Sequence, residues 1–329
     1  MTKTPITIIS GFLGSGKTTF LDYAVKNSNK RLCIILNDLG DNIGESLEIV
    51  DQTSETLHWV DLPNGCVCCH SKNNLILALE QIANTNNFDN ILIELNGLAD
   101  PSAVAEAIWS NDDLSGTVYC SSIITFVDAE NFTRTETDTM ANRQIASADL
   151  LVLNKSHKVD QSILQNLCKT LIGINALAKI IISSWSKIDL EEIWNKNTMQ
   201  QISSLNKITK THVNLHHQYN TINIRFTFPI TKKHVKTWLS ELMWEGKYDI
   251  VRIKGVVDIV DATNRYMVQG VCNNFELKKS SVLWMTGDVR ESIFVIVGKL
   301  LVEKELLELY LSIKSAKNSK ILAQCPSKV

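Results

Sequence analysis

The run ITIISGFLGSGKTTF, residues 6–20, carries the residue types that can hold a chain of phosphates. Gly11, Gly16, Lys17 and Thr18 fit the pattern G-x-x-x-x-G-K-[ST] between an apolar stretch and a helical one. Glycines without a Cβ let backbone N–H groups close around phosphate oxygens, and a helix N-terminus adds partial positive charge. Lys17 can neutralise the β- and γ-phosphates, Thr18 can ligate Mg²⁺, and Thr19 offers a further phosphate contact. The expected nucleotide contacts are therefore Gly11, Phe12, Leu13, Gly14, Ser15, Gly16, Lys17, Thr18 and Thr19.

A triphosphate site needs a second element near the γ-phosphate, and NILIELNGLADP supplies one. Its apolar run ends in Glu94, placed to fix Mg²⁺ directly or through water, and Gly97 follows with an N–H able to meet the γ-phosphate. A third element would read the base. DLLVLNKSHKVD places Asn154 and Lys155 after an apolar run in the manner of the guanine motif N-K-x-D, with His157 at the fourth position. A carboxylate there accepts both guanine N–H donors, whereas neutral imidazole accepts one, so guanine preference is expected to be weakened. Asp160 is the nearest carboxylate that a rearranged loop could bring in.

The run NGCVCCH, residues 64–70, places Cys66, Cys68 and Cys69 in four positions beside His70. Adjacent cysteines pair only with strained geometry, while Cys66 and Cys68 can chelate together, so a metal is preferred to a disulfide. Thiolate sulfurs favour Zn²⁺ or Cu(I), and a tetrahedral site asks for one more donor, from His70, Asp38 or Asp41. A cluster of buried thiols packed as small hydrophobes is the alternative. Cys33, Cys120, Cys168, Cys272 and Cys325 are scattered and are expected to be structural. His212, His216 and His217 fall together in THVNLHHQYN, as a solvated segment or as metal ligands if the loop folds around an ion.

These residues need a scaffold with strands feeding loops and helices. ITIIS, RLCIIL, NILIEL, SSIITFV, DLLVLN and KIIIS alternate with helical patterns beginning at Lys17, Asn73 and Pro101. That alternation predicts an α/β nucleotide-binding domain with a mainly parallel sheet covered on both faces. TINIRFTF, IVRIKGVVDIVD, RYMVQGVC and SIFVIVG, with helices over TKKHVKTWLSELMW and KLLVEKELLELYLSI, predict a smaller α+β domain. The expected division is 1–205 for the nucleotide- and metal-binding domain, 206–220 for a histidine-containing linker and 221–329 for the second domain.

With 329 residues, 44% of them hydrophobic, the chain is long enough for about two cores. Its 33 basic and 35 acidic side chains are well mixed, which favours neither nucleic acid nor an anionic membrane as partner. Eight cysteines are too few for a disulfide scaffold. The first thirty residues hold glycines where a signal peptide needs an apolar core, and no apolar run reaches the ~18 residues of a membrane span. A cytoplasmic location is expected.

GFLGSGKTT, NGCVCC, IELNGLADP and the NK strand end occur in the order of the CobW-type GTPases, a family of metal chaperones and metal-insertion factors, which the chain resembles. RIKGVVDIV, YMVQGV and SIFVIVGKLL look like that family's C-terminal module, so the resemblance covers nearly the whole chain. It implies that Cys66, Cys68 and Cys69 bind a transition metal, most often zinc, with an affinity linked to nucleotide state. Asp38 and Asp41 stand where the family carries acidic residues after its second strand, with side chains one methylene shorter. Asn96 replaces the family's usual hydroxyl, and His157 its usual carboxylate.

The expected function is then a Mg²⁺-dependent hydrolase of GTP that binds zinc, or another soft transition metal, and delivers it to a client metalloprotein. A homo-oligomer is compatible with that function. The alternatives are a P-loop kinase of a small acceptor, for which the nucleotide domain offers no Arg-rich lid beyond Arg134 and Arg143, and a metal-binding regulatory module with a weak nucleotide site.

Overall fold

The computed structural model describes residues 3–37, 57–61, 71–85, 88–194, 198–208, 218–244 and 248–322. The chain divides into two compact units, Met1–Lys196 and Asn197–Val329.

In the first unit the described elements are β1 (Thr4–Gly11), α1 (Lys17–Asn27), β2 (Leu32–Asn37), β3 (Leu57–Asp61), α2 (Ser71–Thr85), β4 (Asn90–Leu95), α3 (Pro101–Trp109), β5 (Val118–Asp128), α4 (Phe132–Thr135), α5 (Thr139–Ser147), β6 (Leu150–Asn154), α6 (Gln161–Ile174), β7 (Lys179–Ile182) and α7 (Glu191–Trp194). The strands form one parallel sheet in the order β3-β2-β4-β1-β5-β6-β7. The six apolar runs anticipated as strands are β1, β2, β4, β5, β6 and β7. Strands covered on both faces read as continuous apolar runs, and every residue of β6 is buried. Phe20, Leu21 and Ala24 of α1 pack with Ile9, Ile34, Leu92, Ile124, Phe126 and Val152 in one core cluster.

Local signals start the helices. Pro101 occupies the first turn of α3, and the Asp100 side chain accepts from Ser102 N at 2.9 Å. At α5 the Asp138 carboxylate accepts from Ala141 N at 2.8 Å. The sequence of α5 is short and polar on average, and that helix was not anticipated.

The second unit contains α8 (Thr198–Lys207), β8 (Tyr219–Phe226), α9 (Lys232–Trp244), β9 (Ile250–Val257), β10 (Asn264–Val271), β11 (Asn274–Leu283), β12 (Ser292–Lys299) and α10 (Glu303–Leu322). Its antiparallel sheet has the order β11-β10-β9-β12-β8. Val235, Trp238 and Leu239 of α9 share a core with Leu306 and Tyr310 of α10 and with Ile224, Ile253 and Phe294 of the strands. Trp238 is fully buried and donates from Nε1 to Leu306 O at 3.3 Å, which satisfies its one polar atom.

The division between the units precedes α8, a helix that was not anticipated and whose residues up to 205 fall within the expected first domain. This helix packs instead on β9, β11 and β12 of the second unit. Likewise β8 begins at Tyr219, inside the expected linker, because Tyr219 pairs with Lys299 and the Asn220 side chain bonds Leu301 N and O at 2.8 and 3.0 Å. β11 was also missed, since the lysines and serines of an edge strand hide its alternation. Among the described residues no helix is long and apolar enough to cross a membrane.

Candidate functional site

Parallel pairing brings the C-terminal ends of distant strands to one edge, where ligands bind in open α/β sheets. The register sets Ile9 beside Glu94, Gly11 beside Phe126 and Asp128 beside Asn154. The phosphate-loop residues follow β1 at this edge and lead into α1.

Gly16 caps α1 at φ 106°, and a Cβ there would lie 2.3 Å from Asn154 Nδ2. Only glycine fits that position. Lys17 is 7% exposed, and its Nζ donates to Gly11 O at 2.8 Å and Phe12 O at 3.3 Å. The ammonium is thus folded over its own loop at the helix N-terminus. Ser15 Oγ is buried with no hydrogen-bond partner, a hydroxyl suited to an anion held by the loop.

Thr18 Oγ1 donates to Glu94 Oε1 at 2.9 Å, joining residues 76 positions apart. A hydroxyl and a carboxylate beside a phosphate loop form a hard oxygen donor set that fits Mg²⁺. Gly97 approaches the loop closely: a Cβ there would meet Leu13 N at 2.6 Å. The segment behind it is fastened to α5, since Gln144 Nε2 donates to Gly97 O and Ala99 O, each at 3.0 Å, and Arg143 Nε meets Asp100 Oδ2 at 2.6 Å. Asn96 folds the same turn, its Oδ1 accepting from Leu98 N at 2.9 Å.

Asn154 is 2% exposed and faces the loop. Its Nδ2 donates to Ser15 O at 2.9 Å and to Ser186 Oγ at 2.8 Å, and its Oδ1 accepts from Ser186 N at 2.9 Å. Ser186 Oγ in turn donates to Gly16 O at 2.8 Å. Lys155, at φ 58°, sends Nζ to Asp128 Oδ2 at 2.6 Å. His157 stacks on Trp185 with ring centroids 4.8 Å apart and an interplanar angle of 16°. A cavity of about 360 Å³ opens beside the loop, lined by Phe12, Leu13, Gly14, Asp128, Arg134 and Lys155 among others.

The comparisons with known proteins bear on this site. The CobW/HypB/UreG nucleotide-binding domain matches residues 5–182, and the cobalamin synthesis protein cobW C-terminal domain matches residues 219–312. The chain belongs to the CobW/HypB/UreG family. It is 33% identical over 316 residues to the zinc-regulated GTPase metalloprotein activator 1 of Schizosaccharomyces pombe, covering 83% of this chain and 76% of that one. It is 29% identical over 341 residues to the zinc chaperone CobW of Pseudomonas aeruginosa, covering 91% and 88%. In fold it is similar to the crystal structure of Zn(II)-bound YjiA GTPase from E. coli, with a TM-score of 0.72 at 22% identity over 95% of this chain and 99% of that one.

The family's nucleotide-binding span contains every loop residue from Gly11 to Thr19 together with Glu94, Gly97, Asn154 and Lys155. Gln144, Ser186 and Trp185 carry no local signal, and Arg143 was weighed only as a lid arginine; their positions here depend on strand order. The metal candidates Cys66, Cys68, Cys69, His70, Asp38 and Asp41 lie outside the described residues, as do His212, His216 and His217. Among the scattered cysteines, Cys33, Cys120, Cys168 and Cys272 are in no disulfide, and burial pushes the Cys33 thiol up to about 12. A thiol held neutral in this way is a poor metal ligand.

The Asp128–Lys155 pair gives a pH prediction. Burial alone would push the Asp128 carboxyl up, but the hydrogen bonds of Lys155 and Asn131 and the charge of Lys155 outweigh it and hold Asp128 below its ordinary 3.8. A depressed carboxyl contributes stability above the unfolded value and loses it as pH falls through the folded one. Asp128→Asn is therefore expected to flatten the decline of Tm with acidity below about pH 4. Parallel Tm–pH curves for the two proteins would show that the pair contributes nothing.

Proposed function

We propose that this nucleoside triphosphatase hydrolyses GTP with Mg²⁺, binds a transition metal, zinc first, through Cys66, Cys68 and Cys69, and hands it to a client metalloprotein. The observation that carries the nucleotide half is the convergence of Lys17, Thr18 and Glu94 at the loop, with Thr18 bonded to Glu94 at 2.9 Å. The metal half is supported by relatives named zinc chaperones and zinc-regulated GTPase metalloprotein activators, and by the density of soft ligands in NGCVCCH.

The residues act mainly by position and charge. Lys17 gives up its bonds to Gly11 O and Phe12 O for the β/γ-phosphate oxygens, an exchange of neutral acceptors for anionic ones that strengthens each bond. The backbone N–H groups of Leu13 to Thr19 surround the phosphates, and Asn154 holds Ser15 and Ser186 so that this cradle keeps its shape. Thr18 and Glu94 would hold Mg²⁺, which neutralises charge on the phosphoryl group in transit. Gly97 offers its N–H to the γ-phosphate and is tethered through Gln144, so loss of that phosphate is felt by α5.

Asp38 and Asp41 are the candidates to complete the zinc or Mg²⁺ shell. A cytoplasmic location fits, because a reducing thiol pool keeps the cysteines free for metal. The test is zinc titration of the protein loaded with a non-hydrolysable GTP analogue or with GDP, alongside phosphate release. Zinc affinity is expected to differ between the two nucleotide states, and Cys68→Ser to weaken it at least ~10-fold. Equal affinity in both states and in the variant would overturn the proposal.

A further inference from the structure

The turn after β5 carries an arginine that the proposed chemistry does not use. Every other arginine of the chain donates a side-chain hydrogen bond, as Arg31 does to Asp89 and Arg143 to Asp100. Arg134 is exposed, and its side chain has no hydrogen bond or ion pair among the described residues. The acids that precede it are committed elsewhere: Asp128 meets Lys155 Nζ at 2.6 Å, and Glu130 meets Lys158 Nζ at 2.7 Å. Neither is left to neutralise the guanidinium.

The backbone that carries Arg134 is fixed. Asp128 Oδ1 accepts from Glu130 N at 3.0 Å and from Asn131 N at 3.3 Å, and Asn131 O accepts from Arg134 N at 3.0 Å. Phe132, in the same turn of α4, is 3% exposed. A charge with a rigid root and a free head meets an anion with little reorganisation.

The cavity beside the phosphate loop identifies the anion. Arg134 lines it together with Phe12, Leu13 and Gly14, and Gln144 is also in its wall. Leu13 is the loop residue that a Cβ on Gly97 would strike, 2.6 Å from its N, and Gln144 holds Gly97 O at 3.0 Å. Gly97 is the residue whose N–H is proposed to meet the γ-phosphate, so Arg134 shares its cavity with that end of the loop. Lys155 lines the same cavity but is bonded to Asp128.

We infer that Arg134 is a catalytic residue that binds the γ-phosphoryl group with the two-pronged face of its guanidinium, more tightly in the transition state than in the ground state. This rests on the GTP-hydrolysing reading above and adds a residue to it. In that reaction a water oxygen bonds to the γ-phosphorus while the bond to the β–γ bridging oxygen breaks. The electron pair of the broken bond stays on GDP, and the proton lost by the water goes to the phosphate product or to solvent. Charge in transit is spread over the equatorial γ-oxygens. Two parallel N–H donors match two of those oxygens, and the guanidinium keeps its own protons throughout.

The test uses the full-length protein with Mg²⁺ and measures GTP hydrolysis and the release of a fluorescent GDP, with and without aluminium fluoride, whose ion stands in for the phosphoryl group in transit. Arg134→Ala is expected to lower kcat about 10²-fold, with KM and GDP affinity within about threefold of wild type. Aluminium fluoride should slow GDP release from the wild type and lose most of that effect in the variant. Arg134→Lys keeps the charge without the paired donors and should recover only part of the rate. The side chain is exposed and unbonded, so Tm should not move.

Hydrolysis and a fluoride effect both unaltered in Arg134→Ala would overturn the inference and leave the GTP-hydrolysing function intact. A loss of GDP affinity as large as the loss of rate would overturn it equally, because the charge would then act on the whole nucleotide. Wild-type protein that neither binds nor hydrolyses GTP would overturn the proposed nucleotide site itself.

Discussion

Replacement of Lys17 by Ala is expected to lower GTP hydrolysis by about 10²–10³-fold, the usual cost of removing one preorganised charge stabiliser. The side chain is 7% exposed, and its ammonium is held by Gly11 O and Phe12 O. The charge therefore waits at the helix N-terminus and needs no large rearrangement to meet a phosphate. Stability should change far less than activity, because the substitution also relieves a desolvated cation. Arg is not expected to rescue, since a planar guanidinium has neither the size nor the point-charge geometry of an ammonium in this enclosure. Phosphate release, nucleotide binding and Tm measured on both variants separate these effects. Hydrolysis within tenfold of wild type in the Ala variant would remove Lys17 from the reaction.

The second large effect is expected from Asn154→Ala, read as stability. The substitution deletes three buried hydrogen bonds, to Ser15 O, Ser186 Oγ and Ser186 N. At about 1 kcal/mol each the loss is about 3 kcal/mol, increased by leaving Ser15 O and Ser186 N unpaired. For a unit of this size that is roughly 6–12 °C in Tm. The left-handed residues Trp185 and Ser186 lose their restraint at the same time, so nucleotide affinity should fall with stability. Asn154→Asp separates the roles of the two amide atoms. Its carboxylate still accepts from Ser186 N, but it sets an acceptor against Ser15 O, so it should do no better than Ala. A variant that melts with wild type would show that the clamp is not what holds the loop.

Lys17 and Asn154 both stand out in the sequence, but the bonds of Asn154 to Ser15 and Ser186 do not. Gly11 to Thr19 form one contiguous segment in which strand, glycines, Lys and helix follow each other, so the phosphate loop is written locally and was legible. The parallel sheet was equally legible, because strands buried on both faces are apolar throughout. By contrast α8 is short, with Met199, Ile202 and Leu205 as its apolar residues, and the edge strand β11 is interrupted by lysines and serines, so each offers a weak signal. They acquire their structure from packing on neighbouring strands.

Function in this chain is divided along the same line. The sequence by itself determined that a phosphate chain has a place to bind, that three thiols are clustered at Cys66, Cys68 and Cys69, and that His157 stands at the fourth position of the N-K-x-D pattern. Only the tertiary structure decided that Thr18 meets Glu94, that Gln144 ties Gly97 to α5, and that Asn154 and Ser186 lock the loop while Trp185 is turned outward under His157. The reason is geometric. Residues far apart in the chain become neighbours through strand order and register, which the long crossovers of a parallel sheet set and no local pattern of residue types encodes.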